Sequence, residues 1–233
     1  LNTECEWKSD NTPLTATDTA INALVIQAFE RDFPHIHVAG EEGENASYES
    51  EYVVILDPVD GTMCFTTGMP LSTFCISILK DETPIAAVIY DPFQDRRWHA
   101  EKGLGAYENE RRISVSKHAV LPRSYIWIWW RNESIRSLET ADRKLKVAGA
   151  LCIGVPSIAY FAGLVAAGNI HGTILAERQI WEAPAMQLII EEAGGRMTDI
   201  EGNPLRYRVG TPLNGHIASN GLLHDELLAT LND

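Results

Sequence analysis

Ile55-Leu56-Asp57-Pro58-Val59-Asp60-Gly61-Thr62-Met63-Cys64-Phe65 is the stretch around which the chain organises itself. An apolar run from Tyr52 to Leu56 ends in two carboxylates, then a glycine and a hydroxyl, the pattern of a buried strand opening onto a polar turn. Asp57 and Asp60 can converge on one side of that turn, with the Val59 carbonyl between them. Two carboxylates so close repel each other, so either one takes up a proton or a cation sits between them. Oxygen donors without imidazole or thiolate suit a hard ion such as Mg²⁺. A second reading fits residues 57–62 as well: Asp-Pro and Asp-Gly are turn formers, and both carboxylates could bond backbone amides. Gly61-Thr62 adds weight to the first. A helix starting at Thr62 would turn its first amides toward the same spot, where a phosphate could rest against the cations.

The whole chain agrees with an anionic ligand held through ions. Its 233 residues allow one large domain or two closely packed ones, and 45% hydrophobic with 22% charged residues is a globular composition. A net charge of −13 without any Lys/Arg patch argues against a nucleic-acid partner. The four cysteines, Cys5, Cys64, Cys75 and Cys152, have no ligand-like spacing and read as free thiols of a reducing, cytoplasmic compartment. No apolar run is long enough for a membrane span, and no signal peptide opens the chain.

Outward from the central stretch, Leu1 to Leu14 reads as polar and irregular, with a turn at Lys8 to Pro13. A helix is expected from about Thr17 or Asp18, with Ile21, Leu24, Val25, Ala28 and Phe29 on one apolar stripe and Asp18 as its N-terminal cap. Pro34 ends it. Val38 to Gly43 reads as a short strand running into a loop with two acids, Glu41 and Glu42. Residues 71–79, 84–90 and 96–101 are strands separated by short turns, followed by a hairpin punctuated by Gly103, Gly105 and Asn109. Beyond a soft boundary near Ser114 to His118, the spacing predicts a strand at Ser124 to Trp130, a helix at Ile135 to Ala141 and a strand at Leu145 to Ala148. Further on come a helix capped by Ser157 and stopped by Gly168, and a strand at Ile170 to Ala176. A helix from Trp181 ends at Gly194-Gly195. A strand at His216 to Ser219 and a helix at His224 to Leu231 close the chain. Strands alternating with helices give an α/β second half after an α+β first half, divided as residues 1–116 and 117–233.

Asp57-Pro58-Val59-Asp60-Gly61-Thr62, with Phe65, Gly68 and Pro70, resembles the signature of the inositol monophosphatase superfamily. Four further blocks follow its order: Lys8 with Thr15-Ala16-Thr17-Asp18, then Gly40-Glu41-Glu42, Ala166-Ala167-Gly168, and Trp181-Glu182-x-x-Ala185 leading into Glu192-Ala193-Gly194-Gly195. The resemblance implies a layered αβαβα sandwich with the site between the halves, a homodimer, and roughly two to three Mg²⁺ ions. It also implies roles. Glu41, Asp57 and the Val59 carbonyl would hold the ion that activates the attacking water. Asp57, Asp60 and Glu182 would hold the ion at the leaving alkoxide. Thr62, oriented by Asp18, would help deprotonate the water, and Gly61 and Thr62 amides would hold the phosphate, with Asp60, Ser157 and Ile158 toward the substrate. The implied reaction is in-line hydrolysis of a small phosphate monoester. Family members usually carry another helix upstream of the first one here.

Three positions depart from the pattern. Glu182 replaces the usual Asp, and its extra methylene moves the carboxylate by about an ångström, a shift that positioning can feel. Leu175 stands where inositol phosphatases carry a ring-binding glutamate, with Glu177 two residues away. Val155-Pro156-Ser157-Ile158 replaces Gly-Ser/Thr-Ala, Pro156 removing one amide. His171, where an Asp is usual, reads as a surface strand residue. Inositol monophosphate or a similar polyol phosphate is the first expected substrate. Histidinol phosphate, toward which Gly43, Thr67 to Leu71 and Arg96-Arg97-Trp98 lean, comes next, and a nucleotide 3′-phosphate after it. A non-catalytic homologue that binds a phosphorylated ligand or a protein is the reading from another class, motivated by Glu182, Leu175 and Pro156.

Overall fold

The computed structural model describes residues 4–8, 12–44, 50–131 and 134–232. The chain begins with β1 (Glu6–Trp7), β2 (Pro13–Leu14), α1 (Ala16–Asp32), β3 (His37–Gly40), β4 (Gly43–Glu44), β5 (Tyr52–Asp60) and α2 (Thr62–Thr66). It continues with β6 (Thr73–Lys80), β7 (Thr83–Asp91), β8 (Arg96–Glu101), β9 (Gly105–Glu108), β10 (Arg111–Arg112) and β11 (Tyr125–Trp129). There follow α3 (Glu139–Val147), β12 (Leu151–Ile153), α4 (Ile158–Ala166), β13 (Gly172–Leu175), α5 (Ala183–Glu192), β14 (Arg196–Thr198), β15 (His216–Ser219) and α6 (His224–Leu231).

Side-chain alternation assigns the faces of the first sheet. In β6, Thr73, Cys75, Ser77 and Leu79 are buried while Phe74, Ile76 and Ile78 are half-buried, the period expected of a strand with one face on the core. The sheet has eight strands in the order β10-β9-β8-β7-β6-β5-β3-β4, antiparallel except where β3 runs beside β5. The second sheet has five, ordered β12-β11-β13-β15-β14, with β11 parallel to both β12 and β13. Helix α4 is apolar almost all round, as a helix enclosed on every side must be. With α5 it fills the space between the buried face of the first sheet and Trp127, Leu175, Met197 and Ala218 of the second. Ile126, Ile128, Ile174 and Ile217 on the far face of the second sheet close against Leu138, Ala141 and Leu145 at α3 and Leu223, Leu227 and Leu231 at α6. With α1 against β3 and β5 on the outer face of the first sheet, the layers run α-β-α-β-α, as the sequence resemblance implied.

Several expectations are corrected. Helix α1 starts at Ala16 behind Thr15, and only Asp18 and Asn22 are fully buried on it. Leu24 of the expected apolar stripe is 67% exposed. The other four stripe residues, Ile21, Val25, Ala28 and Phe29, are half-buried, and a polar contact adds to them: Asn22 Nδ2 donates to the Gly43 carbonyl at 3.2 Å. The helix read at Ile135 to Ala141 lies later, over Glu139–Val147, and swallows the strand read at Leu145 to Ala148. Its buried Leu138, Ala141 and Leu145 share one helical face, Glu139 and Asp142 open it and Lys144 and Lys146 end it, all favouring one continuous helix. Gly149, at φ 88°, stops that helix, and the strand follows at Leu151–Ile153. His171 is buried rather than on the surface; its Nδ1 accepts the Tyr125 amide at 2.8 Å and its ring lies 4.4 Å from that of His118. Strand β14 and the β1–β2 pair are strands that the sequence pattern does not predict. The turn expected over Lys8 to Pro13 falls partly outside the described residues, at 9–11.

Packing between layers sets one sharp constraint. A Cβ on Gly163 of α4 would lie 2.4 Å from Cδ2 of Trp98, a side chain with no exposed surface. Helix propensity alone would make Gly163→Ala stabilising by about 1 kcal/mol, whereas overpacking a closed core costs about 1–3 kcal/mol. The contact wins: chemical denaturation should show Gly163→Ala less stable than wild type, and a more stable variant would contradict this packing.

Candidate metal centre

Two carboxylates three apart on a regular strand point to opposite faces. Strand β5 avoids this with a bulge. Asp57 pairs with Cys75 and Asp60 with Thr73, three steps on one strand against two on the other. The extra residue returns Asp60 to the buried face that carries Thr73 and Cys75, alongside Asp57. Pro58 sits inside this irregularity, where a missing N–H breaks no regular ladder. The turn read from the sequence is therefore a bulged strand end.

From there the partners assemble. The Glu41 amide donates to the Leu56 carbonyl at 3.0 Å, keeping the residue after β3 beside β5. Glu182 occupies the N-cap position of α5 and comes from the other half of the chain. Asp57, Asp60 and Glu182 each offer an oxygen, all within 4.8 Å of one another. The longer Glu182 side chain thus still converges with the two aspartates. Lys8 Nζ donates to Glu41 Oε1 at 2.8 Å and also pairs with Glu42.

Asp18 stands at the third helical position behind Thr15, which is the cap in its place, and it also reaches toward Thr62. Its Oδ2 accepts the Thr15 amide at 3.0 Å and the Thr15 hydroxyl, closing a capping box at the start of α1. Its Oδ1 lies 3.3 Å from Thr62 Oγ1, which is also 3.0 Å from the Val59 carbonyl oxygen. Gly61 precedes α2 at φ 80°, and a Cβ there would stand 2.8 Å from the Pro156 carbonyl oxygen and from Ser157 Cβ. Both conformation and contact require glycine at this joint.

Ser157 and Ile158, expected toward the substrate, lie on Asp60: Ser157 Oγ is 2.8 Å from Asp60 Oδ2 and the Ile158 amide 3.1 Å from Oδ1. Leu175 is buried in β13 between β11 and β15. Glu177 accepts the Ser134 hydroxyl at 2.7 Å and lies 3.4 Å from Arg131 Nε. Thr73, which donates to Asp60 Oδ2 at 3.0 Å, had no signal in the sequence, because its proximity arises from cross-strand register.

The sequence profile described as the inositol monophosphatase family matches residues 2–233. The chain belongs to that family. A histidinol-phosphatase of Mycobacterium tuberculosis is 31% identical over all of this chain and 89% of its own length. An inositol-1-monophosphatase of Bacillus subtilis is 32% identical over 94% of this chain and 83% of its own. The crystal structure of the extragenic suppressor protein suhB of Bartonella henselae superposes at a TM-score of 0.91 with 26% identity, covering 100% of this chain and 89% of that one. Members of the family are metal-dependent hydrolases of phosphate monoesters, so this chain is a phosphatase and its substrate a small phosphorylated molecule.

The donor set fits a divalent cation. Burial first, then Glu41, Glu182 and Asp60, push the Asp57 carboxyl well above the usual range. Burial also raises Asp60 against the pull of its hydrogen bonds, and raises Glu41 against Lys8. Glu182 is pushed up to about 8, by burial first and then by Asp60 and Glu41. The shifts of Asp57, Asp60 and Glu182 reflect buried charge that an ion bound through oxygen ligands would offset. The sign of the pH effect follows. Metal-free folded protein keeps a proton on Glu182 that unfolded chain loses near 4.5, so this contribution is present at low pH and disappears as pH rises through about 8. Melting curves in chelator should therefore show stability declining across that window, with Mg²⁺ restoring it and binding more tightly as pH rises. Equal Mg²⁺ affinity at about pH 6 and about pH 9, below and above the Glu182 value of about 8, would contradict the assignment.

Proposed function

We propose that the chain is a Mg²⁺-dependent phosphatase acting on a small phosphorylated amino alcohol of the histidinol phosphate kind, with inositol monophosphate or a similar polyol phosphate as the second reading. The convergence of Asp57, Asp60 and Glu182 within 4.8 Å, all buried or half-buried, carries the metal part of this reading. Glu41, now paired with Lys8, and the Val59 carbonyl would complete the set. Bound divalent ions would supply positive charge to the phosphoryl oxygens and lower the pKa of the attacking water. The chain's own groups do the rest. Thr62 Oγ1 takes a proton from the incoming water as it passes its own to Asp18 Oδ1. The amides of Gly61 and Thr62, without acceptors among the described residues, hold phosphoryl oxygens in line for attack.

Leu175 favours the amino alcohol over the polyol. Its side chain is 6% exposed inside a strand hydrogen-bonded on both sides, so a hydroxyl directed there would go unpaired. Glu177, by contrast, carries a carboxylate that raises the proton affinity of Glu182 even with Arg131 Nε 3.4 Å away, and a protonated amine would add to that pairing.

A substrate panel separates the readings. With Mg²⁺ present, histidinol phosphate should exceed inositol-1-phosphate in kcat/KM by about tenfold or more, and Asp57→Asn should lower phosphate release by about a thousandfold. Preference for inositol-1-phosphate would reverse the two substrates. The absence of metal-dependent turnover on the whole panel, which includes fructose 1,6-bisphosphate and adenosine 3′,5′-bisphosphate, would leave a non-catalytic homologue.

A further inference from the structure

Asp60 is held by four donors, and they are not equivalent. Oδ2 lies 3.0 Å from Thr73 Oγ1, 2.8 Å from Ser157 Oγ and 3.1 Å from the Ala159 amide, whereas Oδ1 accepts only the Ile158 amide at 3.1 Å. A carboxylate oxygen has two lone pairs. Oδ2 is therefore fully used, and Oδ1 keeps one lone pair for a further partner.

Three of these donors belong to the start of α4. Ser157 stands in the N-cap position without capping the helix; Asp60, 97 residues earlier, accepts the first amides in its place. The Ser157 hydroxyl has one proton and a second acceptor, the Leu71 carbonyl oxygen at 2.6 Å. Thr73 is differently placed. Its neighbour besides Asp60 is Cys75 Sγ at 3.8 Å, which can itself be the donor, so the Thr73 proton is committed to Asp60. Thr73 is 2% exposed and directly opposite Asp60 across the ladder. It is the contact to Asp60 that can be removed without disturbing the joint between β5 and α4.

We propose that Thr73 is a positioning residue: by occupying Oδ2 it turns Asp60 so that Oδ1 alone faces the cation shared with Asp57 and Glu182, and so sets the affinity of that site. This rests on the metal-dependent reading above. A hydrogen-bond partner of a ligand typically changes metal affinity by about 10- to 100-fold when lost.

Thr73→Val keeps the shape and removes the hydroxyl; Thr73→Ser keeps the hydroxyl. Titration calorimetry with Mg²⁺, and with Mn²⁺ as a second probe, should show affinity at least about tenfold weaker in the Val variant and restored in the Ser variant. Melting in chelator should stay close to wild type for both. Should Val fail to fold, Thr73→Ala carries the same comparison. Wild-type affinity in a folded variant lacking the hydroxyl overturns the proposal while leaving the metal reading intact. A wild-type chain that binds neither ion removes the metal reading and this proposal together.

Discussion

Like-charge repulsion inside a buried seam is the constraint on which the rest of the structure depends. Asp57, Asp60 and Glu182 bring oxygens within 4.8 Å of one another, and at an effective dielectric of about 20 each ionised pair at that range costs about 3 to 4 kcal/mol. Lys8 answers part of this from the rim, through Glu41 and Glu42. An arrangement this unfavourable persists because backbone pairing, side-chain donors and the layer contacts hold each carboxylate in place before any ion arrives.

Two devices do the holding. The bulge between Asp57 and Asp60 puts both side chains on one face of β5, and the start of α4 clasps Asp60 from the far layer. Gly61 lets the strand end lie against Pro156 and Ser157 closely enough for that clasp to form. The metal centre and the joint between the two sheets are thus the same set of contacts. Stability and ion binding should respond together to changes at Gly61 and Ser157, and separately to a change at Thr73, which lies on β6 rather than on α4.

Much of this was legible in the sequence because it is local. The apolar run into Asp57, the glycine at 61 and the acid after Trp181 are each visible within a few residues, and the order of five short blocks named the family's architecture. What stayed hidden depends on pairing between distant segments. The sequence shows Asp57 and Asp60 as neighbours on a turn, but not the register slip that aligns them. Thr73 looks like any strand threonine until β6 lies beside β5. Ser157 carries the mark of a helix cap, and no local pattern reveals that Asp60 takes over that office. The misreading at residues 135–148 has a simpler cause. Leu145 and Val147 alternate like a strand, yet Val147 is 84% exposed and the acidic start and basic end favour a helix. On helix α1 the apolar stripe holds except at Leu24, and Asp18 and Asn22, whose contacts depend on distant segments, are the residues buried most deeply.

Anomalous diffraction from crystals soaked in Mn²⁺ tests the central claim most directly. A peak is expected within bonding distance, about 2.0–2.3 Å, of one oxygen each from Asp57, Asp60 and Glu182, with Asp60 contributing Oδ1. A soaked crystal with these three carboxylates ordered and no anomalous density between them would contradict it.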